Sequence, residues 1–208
     1  MLNTQISGCM IVQDEEICIR RALESLQRVC NEIIIIDGGS TDNTISICEQ
    51  YTDKIFNHPF DNWKDQKNRA IEQCKNEWIL LLDADEYLNN SLANSIYDII
   101  KQATSLNNDI ISIPRLNLQD GKGPSGWPDY QKRLYRNYIR YEGDTIHENP
   151  IGRLGVMPIK PDLPLMYIIH DKTLEQQKKR NRQYYLFDPS KYPTCPEGCE
   201  DIWRPLNV

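Results

Sequence analysis

Two aspartates separated by one residue follow an apolar run in the first half of the chain. Asp83 and Asp85 come directly after residues 78–82, which are typical of a buried strand. In an open α/β sheet, ligands bind outside the carboxyl ends of the strands. Carboxylates at that place can hold a divalent cation and, through it, a diphosphate. The alternative is an acidic surface turn, and the surrounding elements have to decide between the two.

Strands alternate with helices up to about residue 105. The strands are nearly continuous apolar runs, as expected when both faces of a sheet are covered. The helices show apolar residues at a spacing of three or four. The alternation predicts a largely parallel sheet with right-handed crossovers. Predicted strands lie at 6–12, 32–36, 54–56 and 78–82, and predicted helices at 19–29, 43–51, 63–75 and 92–103, the last capped by Ser91.

The pattern changes after residue 105. A strand at 109–116 is followed by a long loop at 117–129, and strands at 131–135 and 139–141 are predicted to be antiparallel. Three prolines interrupt an extended segment that ends at 166–170. A basic helix at 174–187 and an irregular, Pro-rich tail complete the chain.

Composition excludes some partners. The 30 acidic and 24 basic residues give a formal charge of −6, which argues against nucleic acid as the main partner. The sequence shows no signal peptide and no run of roughly 18 apolar residues, so we expect a cytoplasmic protein without a transmembrane segment. Of the seven Cys, Cys195 and Cys199 in the tail are the two placed for disulfide or metal chemistry.

A second polar turn follows the strand at 32–36. Asp37 ends this strand, and Gly38 and Gly39 come next. Glycine allows positive φ and the close approach of a ligand to the backbone. The three residues that follow, Ser-Thr-Asp at 40–42, are all competent helix caps.

Three segments, taken in order, resemble the successive signatures of family 2 glycosyltransferases. They are CMIVQDEE at 9–16, EIIIIDGGSTDNT at 32–44 and WILLLDADE at 78–86. The resemblance covers roughly the first 90 residues. It implies an α/β chain with the GT-A (nucleotide-diphospho-sugar transferase) fold, a mostly parallel central sheet flanked by helices with a small antiparallel acceptor-side part. It also implies a nucleoside-diphosphate sugar donor, with a UDP-sugar favoured, and a divalent metal.

On this resemblance we expect one GT-A domain over residues 1–208. Its nucleotide-sugar-binding half would be 1–105, its acceptor and catalytic half 106–187, and its irregular tail 188–208.

The resemblance also assigns residues by position. Glu15 and Asp37 would approach the base or the ribose, Asp83 would lie near the ribose, and Asp85 would bind the metal. Asp14 departs from the family pattern, which often has Asn there, so its contact is open. The other expected donor-side residues are Gly38, Ala84, Lys67, Asn68 and Arg69.

Elementary electrostatics supports the metal. A sugar diphosphate is an anion that Asp83 and Asp85 would repel unless a cation lay between them. Oxygen ligands suit Mn²⁺ or Mg²⁺. His170, which follows an apolar strand, is the expected additional metal ligand by resemblance, and the alternative is a hydrogen-bonded core histidine.

Transfer with inversion needs a carboxylate that takes the proton from the acceptor hydroxyl. By resemblance, Glu148 in Ile-His-Glu occupies the place of this base, and Asp144 is the alternative. The remaining alternative is that Glu148 is an ordinary exposed glutamate without a role in catalysis. His147 is either a substrate contact or a structural hydrogen-bonding residue.

The segment at 127–136 resembles the acceptor side of the same group of enzymes. Trp127 would stack on a sugar or plug the loop, Asp129 would accept hydrogen bonds from hydroxyls, and Arg133 would pair with a phosphate or carboxylate. The basic helix is either a solvated face or the binding surface of an anionic acceptor, a phosphorylated glycan or a lipid at a membrane. Its cations are Lys172, Lys178, Lys179, Arg180 and Arg182.

These patterns predict a metal-dependent, inverting transferase that moves a hexose-type sugar to a hydroxyl of a glycan or glycolipid-type acceptor, with peripheral contact at the cytoplasmic face of a membrane allowed. A non-catalytic sugar-nucleotide-binding protein would bind the donor without transfer. A sugar nucleotidyltransferase would release pyrophosphate. The latter class normally has a Gly-rich, basic loop after the first strand, where this chain has the acidic residues 13–16.

Overall fold

The computed structural model describes residues 4–120, 122, 127–143, 148–160 and 165–187. Within these residues no helix is both long and apolar enough to cross a membrane. The strands are β1 (Ile6–Val12), β2 (Glu32–Asp37), β3 (Ile55–Asn57), β4 (Trp78–Leu81), β5 (Glu86–Leu88), β6 (Ile110–Gln119), β7 (Asp129–Arg136), β8 (Arg140–Glu142), β9 (Asn149–Ile151), β10 (Val156–Pro158) and β11 (Ile168–Lys172). The helices are α1 (Ile19–Gln27), α2 (Thr44–Cys48), α3 (Trp63–Gln73), α4 (Asn90–Ser105) and α5 (Leu174–Phe187).

The main sheet has the strand order β3-β2-β1-β4-β7-β6-β11-β5, and β10 pairs with β6 at the side of this path. The first four strands are mutually parallel, and β6 is parallel to both β10 and β11. β7 runs antiparallel between β4 and β6, and β5 runs antiparallel to β11. The predicted mostly parallel sheet with an antiparallel part in the second half is confirmed.

The two faces of the sheet carry separate cores because successive side chains of a strand point to opposite faces. Ile6 and Met10 of β1 belong to the larger cluster with the apolar sides of α1 and α4. Cys9, on the other face of β1, packs with Ala70 and Ile71 of α3. Burial on both faces explains why these strands are continuous apolar runs.

Several short elements differ from the sequence prediction. The strands β5, β9 and β10 were not predicted, and each has only three residues. The helix α4 is capped by Asn89, whose side chain accepts a hydrogen bond from the Leu92 amide, so the prediction of Ser91 as the cap is wrong. The predicted strand at 139–141 lies at β8, which pairs with β9 in a separate two-stranded sheet rather than with β7.

Candidate functional site

The loops that follow β1, β2 and β4 meet at one edge of the sheet. Their register is fixed by parallel pairing, in which Val12 of β1 lies opposite Asp37 of β2. Past the strand ends, the Gly38 amide donates to the Val12 carbonyl at 2.8 Å, and the Leu82 amide donates to the Cys9 carbonyl at 3.2 Å. The carboxyl ends of three parallel strands therefore bring the acidic motifs of the sequence together.

Asp83 is held by a buried guanidinium. The Arg133 side chain, on β7, is an ion-pair partner of both Asp83 and Glu86, and Glu86 is fully buried. Burial alone would raise the pKa of Asp83, but the positive charges of Arg133 and Lys67 hold it well below the ordinary value. The Asp83 side chain is therefore an anion with a fixed cation on one side.

Asp85 faces a histidine. Its Oδ2 lies 3.2 Å from His170 Nε2, and its buried Oδ1 has no hydrogen-bond partner among the described residues. Burial by itself would raise the pKa of Asp85, but the hydrogen bond and charge of His170 lower it below the ordinary value. β11 carries His170 to this place by pairing with β5, where His170 lies opposite Glu86.

Asn117 determines how His170 presents its ring. The Asn117 Nδ2 donates to Asp129 at 3.0 Å, so its Oδ1 is the atom that lies 2.7 Å from His170 Nδ1. An amide oxygen can only accept, so Nδ1 carries the proton of this bond. The other ring nitrogen, Nε2, is directed at Asp85 and is the atom of His170 that could bind a metal ion.

Arg115 closes the network between the two aspartates. Its guanidinium donates to Glu86 at 2.8 Å and to Asp129 Oδ2 at 2.6 Å. A continuous series of hydrogen bonds therefore runs from Asp83 through Arg133, Glu86, Arg115, Asp129, Asn117 and His170 to Asp85. The sequence prediction missed Arg115 and Asn117. Both lie beyond the buried residues 110–113 of the same strand and are two positions apart. Residues two apart in a strand point to the same face, so this spacing could have indicated a polar pair on one face of the sheet.

The site offers two side chains to a divalent cation. Within the described residues no group of three or more His, Cys, Asp or Glu side chains is arranged to hold a metal. A magnesium-type ion usually keeps waters and takes one or two carboxylates plus substrate phosphates. The unpartnered Oδ1 of Asp85 and the Nε2 of His170 fit such an ion if a diphosphate supplies further oxygens.

The Asp37 carboxylate is used within its own turn. It accepts hydrogen bonds from the Gly39 and Ser40 amides and, at 2.6 Å, from the Ser40 hydroxyl. Gly39 has φ +102°, whereas Gly38 is needed for space, since a Cβ there would lie 3.2 Å from Phe60 Cβ. Asp14, where the family often has Asn, accepts from the Thr41 amide and hydroxyl.

A first cavity lies over the ends of β1, β2 and β4. Four predicted donor-side residues line it, Glu15, Gly38, Asp83 and Ala84. The sequence prediction missed other residues of the lining, the aromatic pair Phe60 and Trp63 and the buried Gln66, and it named Arg180 only as part of the basic helix. We call this cavity the donor cavity, after the predicted donor-side residues that line it.

Of the three candidates on α3, Lys67 faces the site most directly. It is ion-paired with Glu148, and its Nζ lies 5.1 Å from the centre of the Tyr141 ring. Burial would lower the pKa of Lys67, but nearby negative charge, including Asp83 and Glu148, raises it. Asn68 instead holds the backbone of Tyr141, and Arg69 pairs with Asp61 at the surface.

A second, polar cleft adjoins the donor cavity, and Asp83 and Arg180 line both. Lys67, Arg133 and Glu148 lie in its wall. We call it the acceptor cleft, after the predicted base Glu148 and the predicted acceptor residue Arg133. The Asp129 carboxylate accepts hydrogen bonds from Arg115, Asn117 and Gln131. Trp127 is partly exposed, and the centroids of the Trp127 and Tyr167 rings lie 5.6 Å apart in an edge-to-face arrangement.

Among the side chains of α5 that the structure describes, Arg180 brings the basic helix to both cavities. Arg180 of α5 lies 3.9 Å from Glu15 and lines both cavities. Lys172, at the end of β11, lines a neighbouring cavity with Asp85 and Arg180, and burial lowers its pKa. The predictions for Asp144, His147, Cys195 and Cys199 fall on residues that lie outside the described ones.

Solved structures share this fold. S. aureus TarS matches with a TM-score of 0.57 at 15% identity, over 90% of this chain and 40% of TarS. A structure of TarS 1-349 in complex with UDP-GlcNAc matches with a TM-score of 0.57 at 16% identity, over 90% of this chain and 67% of that one. The predicted GT-A fold is confirmed by this likeness.

Curated relatives match part of the chain. An uncharacterized glycosyltransferase of Rickettsia bellii is 38% identical over 96 residues, 46% of this chain and 33% of that protein. The lipopolysaccharide core biosynthesis glycosyltransferase LpsC of Rhizobium meliloti is 34% identical over 100 residues, 46% of this chain and 37% of LpsC. The chain spans about a third of the length of these relatives. The family model of glycosyl transferase family 2 matches residues 7–155, more than half of the chain, and the chain belongs to this family.

Proposed function

We propose that this chain is a metal-dependent, inverting glycosyltransferase. It moves a sugar from a nucleoside-diphosphate sugar, with a UDP-sugar favoured, to a hydroxyl of a glycan or glycolipid-type acceptor. The observation that carries the proposal is the meeting of Asp83, Asp85 and His170 at the edge of the sheet, where Asp83 also lines both the donor cavity and the acceptor cleft. A sugar that leaves a diphosphate at this edge lies between the two.

The donor cavity suits a nucleoside diphosphate. Its inner part is apolar and aromatic, and the side towards α5 carries Arg180. Glu15, Asp83 and the backbone at Gly38, which line this cavity, would contact the ribose and its neighbourhood. TarS, which shares the fold, binds UDP-GlcNAc in a crystal structure, and this supports the same class of donor here.

Asp85 and His170 are the residues that would hold Mn²⁺ or Mg²⁺. When bound, such an ion neutralises the diphosphate as it leaves the sugar. The orphaned Oδ1 of Asp85 supports this assignment. Arg133 and Glu86 keep Asp83 in place beside it, and Asn117 keeps the His170 Nε2 directed at Asp85.

Glu148 is the proposed base, with Asp144 as the alternative. Glu148 lies in the wall of the acceptor cleft, where a hydroxyl could approach a sugar held over Asp83. It is ion-paired with Lys67, so it has to exchange part of this contact for the acceptor hydroxyl. A carboxylate that removes this proton as the hydroxyl attacks opposite the leaving diphosphate leads to inversion.

The acceptor assignment rests on fewer contacts. Trp127 presents a partly exposed ring that can cover a sugar face, while Asp129 and Arg133 now have internal partners and would act by shaping the cleft. His147 stays a candidate acceptor contact, and Asn68 and Arg69 stay candidates on the donor side. Location in the cytoplasm, with contact at a membrane face, also stays a prediction.

The test is the release of nucleoside diphosphate from a panel of nucleotide sugars with Mn²⁺, with and without a chelator. We expect one donor to be turned over, and we expect the chelator and Asp85→Asn each to remove most of the turnover. Asp98→Asn is the matched control, because Asp98 is exposed on α4 away from the site. A rate of donor turnover that neither the chelator nor Asp85→Asn changes would contradict metal dependence.

Glu148→Gln separates the base from the binding site. A general base contributes about 10²- to 10⁴-fold to a rate, so turnover should fall by that factor while donor binding is kept. Donor binding without any transfer, and with no effect of Glu148→Gln, would favour a non-catalytic binding protein. Release of pyrophosphate from a nucleoside triphosphate would favour a nucleotidyltransferase.

A further inference from the structure

The side-chain amide of Gln66 has a fixed orientation in the donor cavity. Gln66 lies on α3 and is 1% exposed. Its Nε2 donates to the His58 carbonyl at 2.8 Å. A carbonyl oxygen can only accept, so the amide cannot rotate by half a turn without placing two oxygens against each other. The remaining atom, Oε1, is therefore committed to the role of an acceptor.

This acceptor lacks a donor. Gln66 Oε1 is buried and has no hydrogen-bond partner among the described residues. Buried polar atoms in proteins are nearly always paired, and an exception calls for an explanation. A bound molecule that carries an N–H group would supply the missing partner.

The surroundings of Gln66 suit a flat ring. The cavity has aliphatic walls from Val12 and Ile36 and an aromatic side from Phe60 and Trp63. The centroids of these two rings lie 5.1 Å apart in an edge-to-face arrangement. At Gly38 the backbone itself forms part of the lining. Aliphatic and aromatic side chains on several sides of one polar acceptor are the composition expected of a nucleobase site.

Asp37, the other acidic candidate for a base contact, is less available. Both of its oxygens accept hydrogen bonds within its own turn, from Gly39 and Ser40. Asp37 also lines a different cavity, with Ile45 and Asn57. Of the buried acceptors that lack a hydrogen-bond partner among the described residues, Gln66 Oε1 is the one whose side chain lines the donor cavity.

We propose that Gln66 Oε1 accepts a hydrogen bond from a ring N–H of the nucleobase and so selects the donor nucleotide. Uracil and guanine carry such a ring N–H. Cytosine and adenine present a ring nitrogen lone pair at the corresponding edge, which the amide oxygen repels. The inference rests on the proposed function, since it takes the donor cavity to hold a nucleoside diphosphate.

The test is a calorimetric titration of the chain with UDP, GDP, CDP and ADP in excess Mn²⁺. An unmade hydrogen bond to a buried acceptor corresponds to roughly a tenfold to hundredfold loss of affinity. We expect UDP or GDP to bind tighter than CDP and ADP by that factor. Which of the two binds tighter identifies the base. UDP methylated at N3 lacks the donor and should bind as weakly as CDP.

Gln66→Met replaces the amide by an apolar side chain of similar length. It should weaken the preferred nucleotide by the same factor, leave CDP within about twofold, and so remove the discrimination. Gln73→Met is the matched control, because Gln73 is exposed on the same helix, and it should keep the wild-type ratios. The comparison with N3-methyl-UDP uses the unaltered chain and does not depend on the folding of a variant.

The outcomes separate the two proposals. Equal binding of UDP, GDP, CDP and ADP by the wild type would overturn the role of Gln66 and leave the glycosyltransferase proposal standing. A wild type that prefers UDP but binds N3-methyl-UDP equally well would overturn that role too. An equal loss for all nucleotides in Gln66→Met, with the ratios kept, would overturn it as well. Failure of every nucleotide to bind the wild type would overturn both.

Discussion

The clearest loss of stability is expected when Glu86 is replaced. This residue is fully buried at the beginning of β5, and its Oε1 accepts hydrogen bonds from Arg115 and Arg133, both at 2.8 Å. Its Oε2 accepts from the Asp83 amide at 3.2 Å. Glu86→Gln keeps the size of the side chain but removes the negative charge between two guanidinium groups.

The expected magnitude follows from these contacts. Removing one partner of a buried ion pair costs about 3–5 kcal/mol, because the other charge stays buried without its partner. In the variant, Arg133 would still be paired with Asp83 and Arg115 with Asp129, which lowers the loss of stability. The new amide nitrogen would also face the Asp83 amide, donor against donor, which raises it. We therefore expect a loss of about 3 kcal/mol in the free energy of unfolding.

The assay is equilibrium unfolding in urea, with the free energy extrapolated to water and the slope compared between variants. Glu77→Gln is the matched control, because Glu77 pairs with Arg136 but its side chain is 62% exposed. An exposed pair contributes about 0–1 kcal/mol. A loss below about 1 kcal/mol for Glu86→Gln, or one equal to that of Glu77→Gln, would refute the view that this buried charge organises the site.

Two further outcomes are expected. Asn117→Leu removes the acceptor that orients His170, and we expect Mn²⁺ affinity in the presence of UDP to fall roughly 10- to 100-fold in a spin-resonance titration. The control Asn94→Leu, at an exposed position of α4, should change nothing, and equal affinity in both variants would contradict the orienting role. Gly39→Ala should lower the free energy of unfolding, measured in urea, by about 1–2 kcal/mol, because φ is +102° at this position. No steric clash adds to this cost, since an added Cβ would meet no atom within 4 Å. An unchanged midpoint would show that the turn relaxes at no cost.

Local sequence pattern was enough to place the elements that carry the acidic motifs. The strands β1, β2 and β4 follow from apolar runs, and the helix α5 from its composition. Burial on both faces leaves a continuous apolar signal, and the carboxyl ends of parallel strands meet at one edge whatever the rest of the chain does. The sequence alone therefore predicted that Asp83 and Asp85 lie at the edge formed by the carboxyl ends of the parallel strands.

The three-residue strands β5, β9 and β10 were missed, since so short a segment has no measurable period. β5 is the important case. It positions Glu86 between two arginines and pairs with β11, which brings His170 to the site. That pairing joins residues 80 to 84 positions apart, and nothing local in the sequence specifies it.

The motif that gave the first indication of function, Asp83 and Asp85 behind a buried strand, was determined by the sequence. Its environment was decided only by tertiary structure. The antiparallel insertion of β7 places Arg133 beside Asp83, and the run of β6 beside β11 places Asn117 against His170. The free acceptor of Gln66 depends likewise on the carbonyl that its amide nitrogen meets in the folded chain. Hydrogen-bond partners depend on which strands and loops become neighbours in space, and side-chain types and spacing along the chain do not record this.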